Sequence, residues 1–401
     1  MSATAELDQS APVAAPAPTA AASAAPRNAG LDALRATLTL LVLFHHTAIT
    51  YGALGGWYYH EIETDLARGP LALGTSLLIV FTAINQAFFM GLFFLIAGYF
   101  TPGAVARNGP DGYLGERALR LGVPLLVYGF VIGPATVALA LTAKGRPFFA
   151  TLLNLWRQGY FENGPLWFVQ TLLIFSLAYL AWRALASRWR EASPAAARPF
   201  PSNRALAAAA LATGAAAFAL RLVWPVGFAF LGMQLGYFAS YIVLFAAGCL
   251  GASSHWLDGA SDKQRRLWRN VAWLALPVLF VVGALGRQVP ALQGATTGGW
   301  SIPAAVYAFW EPLVAWGFIL SLLHAFQRRF VTLGPVGAKL ARRAYAIYII
   351  HPPVLVAIAL AWRNVPAPQL VKFAVTGTAT CLACFWLAGL LLRAPWIRRI
   401  V

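Results

Sequence analysis

The sequence predicts an all-α, polytopic integral membrane protein with about ten transmembrane helices and both termini in the cytoplasm. Of its 401 residues, 60% are hydrophobic and 11% are charged, whereas about a quarter of the residues in a soluble domain are charged. The apolar residues fall in long runs, such as 71–100 and 160–186, and a run of about 20 spans a bilayer. These observations exclude soluble, fibrous and disordered proteins.

The chain divides into three parts. Residues 1–29 consist mainly of Ala, Pro, Ser and Thr, a composition that predicts a disordered tail because it offers few large apolar side chains to bury. Residues 30–392 form the membrane domain, and 393–401 form a basic cytoplasmic tail. The ten apolar spans lie near 35–53, 72–100, 118–142, 164–186, 204–223, 227–250, 268–286, 302–325, 342–361 and 370–392.

The basic residues indicate the orientation. With the N-terminus inside, 22 of the 30 Lys and Arg residues lie on the cytoplasmic side and 8 on the opposite side. Cytoplasmic loops of inner-membrane proteins carry this excess. We therefore expect a multi-pass protein of the bacterial inner membrane, in which the net charge of +17 reflects topology and not nucleic-acid binding.

The first span carries two ionisable residues at a spacing that places them on one face. Arg35 and His46 are eleven positions apart, which corresponds to about 16.5 Å of rise and about 20° of rotation. We expect Arg35 at the cytosolic boundary and His46 near mid-membrane, with His45 turned about 100° away. Ionisable residues inside a bilayer usually have a function. The alternative is structural, with Arg35 reaching towards the interface and His46 bonding to a neighbouring helix.

Glu311 is the acidic residue that lies well within a span. It sits about nine residues, or about 13 Å, below the outer surface, at nearly the depth expected for His46. A buried carboxylate can orient an imidazole and stabilise its protonated form. Glu311 is therefore a candidate partner of His46, or alternatively a residue at a helix kink that pairs with an arginine.

Other polar residues each allow two interpretations. His351 precedes two prolines that bend its helix, so it is either a structural histidine or a substrate contact. Asn85 could bond between helices or touch substrate. Arg117 and Arg120 share a helical face, and with Arg35 they could bind phosphates or anchor the chain to anionic lipid.

Five segments in order resemble the membrane acyltransferase 3 family. Arg35 and His46 match its Arg-x10-His signature. The other matches are FFLIAGYF (93–100, with Ala97 in place of the usual Ser), RALRLGVPLL (117–126), GPLWFVQTLLIF (164–175) and RAYAIYIIHPPVL (343–355). The resemblance covers about residues 30–392, in the form with ten spans and no further domain. Among its branches, FHHTAITYG is most similar to the glucan-biosynthesis protein C group, which attaches succinyl groups to periplasmic glucans.

The resemblance implies O-acyl transfer from cytosolic acyl-CoA to a hydroxyl of an extracytoplasmic carbohydrate or lipid-linked glycan. Arg35, Arg117 and Arg120 then lie where the CoA phosphates would arrive, and His46 is placed to remove the proton of the acceptor hydroxyl. Glu311 could orient His46 or balance its charge. Trp167 lies in a matched segment, and with His351 and Asn85 it completes the candidate substrate contacts. We expect no metal and no cofactor, since acyl-CoA is a substrate. The expected partners are acyl-CoA, a glycan or glycolipid acceptor and the bilayer, and not nucleic acid.

The alternative function is a proton-coupled secondary transporter or flippase. His and Glu at mid-membrane also serve as proton relays, and broken helices are a feature of transporters. The chain has no convincing internal repeat, and the five ordered segments favour the enzyme.

Overall fold

A computed structural model describes residues 28–65, 71–186, 198–286, 289, 292 and 295–401. The described chain is helical, and its β-pairing is a bridge between Phe230 and Met233. Most of the tail predicted to be disordered, residues 1–27, lies outside the described residues. The helices are α1 (Ala29–Thr50), α2 (Leu73–Arg117), α3 (Val123–Val127), α4 (Gly133–Leu141), α5 (Phe148–Arg157), α6 (Trp167–Ala186), α7 (Asn203–Val223), α8 (Phe238–Gly251), α9 (Asp262–Leu285), α10 (Ile302–Arg329), α11 (Pro335–Ala361), α12 (Gln369–Leu391) and α13 (Pro395–Ile400).

Within the described residues, nine helical stretches are long and apolar enough to cross a membrane. Eight of them correspond to one predicted span each, and Leu73–Lys144 contains two. A straight helix of that length would measure about 108 Å, more than three times the thickness of the hydrocarbon core, about 30 Å. The stretch is broken at Gly109, where φ is 69° and ψ is 169°. The all-α polytopic fold is therefore confirmed, and the ten expected spans fit the nine stretches.

We name the end of the bundle at which α1 begins the inner end, and the opposite end the outer end. The charge bias predicts that the inner end faces the cytoplasm. Helix α1 begins at Ala29, and its N-cap is Asn28, whose side chain accepts a hydrogen bond from the N–H of Leu31. Asp32 lies in the first turn and pairs with Arg35 at 3.9 Å.

Two segments have a secondary structure that the sequence did not predict. The span predicted from residue 227 begins only at 235, because 224–234 form an outer loop in which Leu231 has a φ of 50°. The basic tail predicted at 393–401 contains helix α13, which packs against residues 118–122. Hydropathy alone does not mark where the span begins, since most residues of 224–234 are also apolar.

The third span is an α-helix interrupted by two π-helical turns, Ala118–Gly122 and Tyr128–Ile132. A π-turn breaks the regular hydrogen-bond ladder, and backbone oxygens there accept hydrogen bonds from other parts of the chain. The Tyr345 hydroxyl donates to Arg120 O at 2.8 Å. The N–H of Glu162 donates to Gly129 O at 2.9 Å, and the indole N–H of Trp156 donates to Phe130 O at 2.8 Å. These bonds fasten the third span to α11, to α5 and to the outer loop before α6.

Helices α2 and α8 cross at two glycines. A Cβ atom at Gly98 would overlap the backbone oxygen of Phe245, and one at Gly248 would overlap that of Leu95. The helices therefore approach to backbone contact, as small residues allow in membrane proteins.

We expect Gly98→Ala to destabilise the protein by about 1–3 kcal/mol, because the added methyl group must force the two backbones apart. Thermal unfolding in detergent measures the change. Gly115→Ala is the matched control in the same helix, since a Cβ there meets nothing within 4 Å. Equal stability of the two variants would contradict the close crossing.

Candidate active site

Two histidine rings from distant parts of the chain meet near the outer end of the bundle. His46 lies one turn before the end of α1, and its Nδ1 lies 3.0 Å from Nε2 of His351 on α11. The ring planes are only 11° apart and the centroids lie 5.2 Å apart, as in two rings that lie side by side. His351 is fully buried and His46 is half-buried. His46 was expected near mid-membrane, but α1 ends at Thr50, so the histidine lies about 6 Å from the helix end.

The orientation of His351 follows from the residue after it. Pro352 has no N–H, so it cannot donate the usual helical hydrogen bond to the backbone oxygen of Tyr348, four residues earlier. That oxygen instead lies 2.6 Å from Nδ1 of His351. A backbone oxygen only accepts hydrogen bonds, so Nδ1 of His351 is the donor.

The same argument extends to His46. In a neutral imidazole one nitrogen donates and the other accepts, so Nε2 of His351 accepts from Nδ1 of His46. Nε2 of His46 is then left with its lone pair. The chain of two hydrogen bonds, from the Tyr348 oxygen through His351 to His46, therefore fixes His46 in the tautomer that a general base requires.

The loop after α1 covers this pair of rings. The Trp57 indole stacks on His46, with centroids 4.1 Å apart and planes 9° apart. The loop is tied down by the N–H of Glu61, which donates to Thr50 O at 2.8 Å, and by a buried ion pair between Glu61 and Lys372 on α12. Trp57 was not predicted from the sequence, since loops have no periodicity that indicates which side chain turns inward.

Two tyrosines attach the neighbouring segments to the covering loop. The hydroxyls of Tyr58 and Tyr128 lie 3.0 Å apart, and a Cβ at Gly164 would overlap the Tyr58 hydroxyl. Burial raises the pKa of Tyr58 well above its usual value, so the hydroxyl keeps its proton at neutral pH. Tyr348 donates its hydroxyl to the backbone oxygen of Pro165. The outer start of α6 is therefore held beside the histidines.

Glu311 has a different partner from the one expected. Its carboxylate forms a buried ion pair with Arg221 of α7. The contact expected between Glu311 and His46 is replaced by the contact between His46 and His351. The alternative that the sequence left open, an arginine partner for Glu311, matches this arrangement.

Arg221 is enclosed on several sides. Its Nε donates to the backbone oxygen of Gly236 at 2.9 Å, and its guanidinium lies over the rings of Tyr307 (4.7 Å) and Tyr237 (5.4 Å). The charge is therefore compensated by a carboxylate, a backbone oxygen and two aromatic faces. Its Nη1 has no hydrogen-bond partner within the described residues, so the compensation comes from the bonds of Nε and Nη2 and from the two ring faces.

The three candidate arginines lie towards the inner end, away from the histidines. Arg35 pairs with Asp32, and Arg120 lies 3.5 Å from Glu116. Arg117 lies over the Tyr113 ring at 5.0 Å. The side chains of Arg35 and Arg120 are 53% and 51% exposed, so both remain accessible to a soluble ligand.

The sequence matches a known protein family. Residues 28–389 match the acyltransferase 3 family model, described as an acyltransferase domain. The chain belongs to the acyltransferase 3 family. A search of curated proteins and a search of solved structures each found no match. Every site residue described above lies within the matched range of this membrane acyltransferase.

The two remaining candidates of the acyltransferase are Trp167 and Asn85. The Trp167 ring stacks on Tyr241 of α8, with centroids 5.6 Å apart, so it packs between helices. Asn85 is buried, and its side-chain nitrogen has no hydrogen-bond partner within the described residues. Its neighbour Gln86 donates to the Tyr241 hydroxyl at 3.0 Å, so of the two amides Gln86 forms the bond between helices.

Sequence reasoning missed two features of the acyltransferase that a charge argument and a proline argument could have found. Arg221 lies near the outer end of an Ala-rich span, and a carboxylate inside a span needs a cation at its own depth. Pro352 identifies Tyr348 O as the free acceptor beside His351. Both signals were present in the sequence.

Proposed function

We propose that the protein is an O-acyltransferase of the bacterial inner membrane. It moves an acyl group from cytosolic acyl-CoA to a hydroxyl of an extracytoplasmic glycan or lipid-linked glycan, with His46 as the general base. The observation that carries this proposal is the hydrogen-bond chain from Tyr348 O through His351 to His46. It leaves an imidazole nitrogen with a free lone pair in a sheltered position, as proton removal from a hydroxyl requires.

The acyl group moves to the acceptor in a single displacement, and each proton that is removed has a destination. Nε2 of His46 takes the proton of the acceptor hydroxyl as its oxygen bonds to the thioester carbon. The tetrahedral intermediate then collapses, the carbon–sulfur bond breaks, and the imidazolium returns the proton to the sulfur of CoA. His351 keeps the imidazole aligned through both proton transfers, and it acts as a positioning residue.

The donor enters from the inner end in this proposal. Arg35, Arg117 and Arg120 lie there, and guanidinium groups match phosphate oxygens in geometry and charge. The long pantetheine arm of CoA then has to carry the thioester along the helices towards His46. Helix α13 places Arg398 and Arg399 on a neighbouring element, which adds to the positive potential at this end.

Removing the proposed phosphate contacts should weaken donor binding selectively. We expect Arg117→Ala and Arg120→Ala each to raise the KM for acyl-CoA by about tenfold, the loss of one charge-assisted hydrogen bond. The rise should be smaller for a donor that lacks the 3′-phosphate. Arg107 is another exposed arginine at the inner end. Arg107→Ala is therefore the control and should leave the KM of both donors unchanged. Equal increases for the two donors would indicate membrane anchoring instead.

The proposed reaction is tested by following the acyl group. Purified protein in detergent is given radiolabelled acyl-CoA, and release of free CoA is measured with and without a glycan acceptor. An acyltransferase releases CoA and labels the acceptor, whereas a transporter or flippase leaves the thioester intact. Mass spectrometry of envelope glycans from a deletion strain then identifies the acyl group and the acceptor that disappear.

A further inference from the structure

The covering loop brings an unused hydrogen-bond donor to the candidate base. The indole N–H of Trp57 is buried and has no hydrogen-bond partner in the part of the chain that the structure describes. Buried N–H groups are normally paired, since an unpaired one loses its hydrogen bonds to water without replacement. An unpaired donor on a ring that stacks against His46 indicates a bond that forms only with a bound ligand.

We propose that the Trp57 indole N–H donates to the carbonyl oxygen of the acyl group and stabilises the oxyanion of the tetrahedral intermediate. This inference rests on the proposed function. His46 abstracts a proton from the attacking oxygen, and that oxygen is two covalent bonds from the carbonyl oxygen of the intermediate. The indole and imidazole planes lie about one ring thickness apart, with centroids separated by 4.1 Å. A ligand at Nε2 of His46 therefore places its carbonyl oxygen within reach of the neighbouring ring.

Other buried donors suit this role less well. His45 has an unpaired Nδ1, but its ring packs on Phe89 and is edge-on to His46. The unpaired nitrogen of Asn85 belongs to α2 and not to the loop that covers His46. Among the unpaired buried donors within the described residues, Trp57 is the one whose ring lies parallel to that of the base.

The chemistry requires such a donor. As the acceptor oxygen bonds to the thioester carbon, the carbonyl double bond opens and its electron pair moves onto oxygen. When the carbon–sulfur bond breaks, the pair returns and the double bond re-forms. A donor already in place strengthens its hydrogen bond as the negative charge grows, and removing one such donor typically costs about 10²–10³-fold in kcat.

The test separates the N–H group from the bulk of the indole. Trp57→Phe keeps an aromatic ring on His46, and site-specific β-(3-benzothienyl)alanine keeps the indole shape but replaces N–H by sulfur. We expect both to lower kcat about 10²-fold, with less than a threefold change in the KM of donor and acceptor. In the wild type, isotope-edited infrared spectra should show a lower carbonyl stretching frequency for bound acyl-CoA than in either variant.

Trp362→Phe is the matched control. The Trp362 indole N–H is already paired with the Thr376 hydroxyl at 3.0 Å near the outer end, so its loss should leave kcat and the carbonyl frequency unchanged. Full activity of the benzothienyl variant would show that Trp57 only packs against the base, and would overturn this inference alone. Absence of acyl transfer by the wild-type protein would overturn the proposed function, and this inference with it.

Discussion

His46→Ala is expected to lower kcat for acyl transfer at least 10²-fold, the usual contribution of a general base. The amount of protein in the membrane should stay normal, because His46 is half-buried and bonds to a single side chain, His351. The measurement is acceptor-dependent release of CoA, normalised to the quantity of folded protein. The KM of the acceptor should change little, since the base acts on the transition state.

The neighbouring histidine is the control. His45→Phe keeps an aromatic ring against Phe89, where the His45 ring lies now, and it should retain activity. An inactive His45→Phe variant together with an active His46→Ala variant would contradict the assignment of His46 as the base.

Substitution of His351, the hydrogen-bond partner of His46, is a second and stricter test of the proposed base. His351→Ala removes the acceptor that holds Nδ1 of His46 protonated, so kcat should fall without the base itself being touched. The double variant His46→Ala with His351→Ala should be no slower than His46→Ala alone, because residues that act as a unit are not additive. Additive losses would mean that His351 contacts substrate independently, the other interpretation that its sequence context allowed.

The spans could be predicted from sequence because hydropathy is a local property. Each run of apolar residues must cross the bilayer wherever its neighbours lie, so the limits of 164–186 and 204–223 agree with α6 and α7 within a few residues. The loop 224–234 and the helix α5 were missed. Both are apolar segments at the outer end whose direction depends on contacts with other helices.

The site was predicted in part for the same reason. The choice of His46 over His45 came from helical rotation, which is local, and His46 is the one that contacts His351. The position of Glu311 was inferred from depth alone, and depth gives one coordinate along the membrane normal. Which of several helices at that depth lies opposite depends on the packing of the whole bundle, and α7 supplies the partner in Arg221.

Glu311→Ala is expected to destabilise the protein by about 3–5 kcal/mol, because it leaves the Arg221 charge buried and without its carboxylate. Both side chains are almost fully buried, 1% and 4% exposed. Thermal unfolding in detergent and the yield in the membrane measure the loss. For the protein that does fold, kcat should be close to the wild-type value, since Glu311 pairs with Arg221 and not with the base.

The double variant Arg221→Met with Glu311→Met decides between a structural and a catalytic role. It removes both charges and fills the space with flexible apolar side chains, so it should recover most of the stability that either single variant loses. Its kcat should stay near the wild-type value, because the proton transfer at His46 is unaffected. Normal yield with a severely reduced kcat in Glu311→Ala, unrescued in the double variant, would instead return Glu311 to the mechanism as a residue that the reaction itself requires.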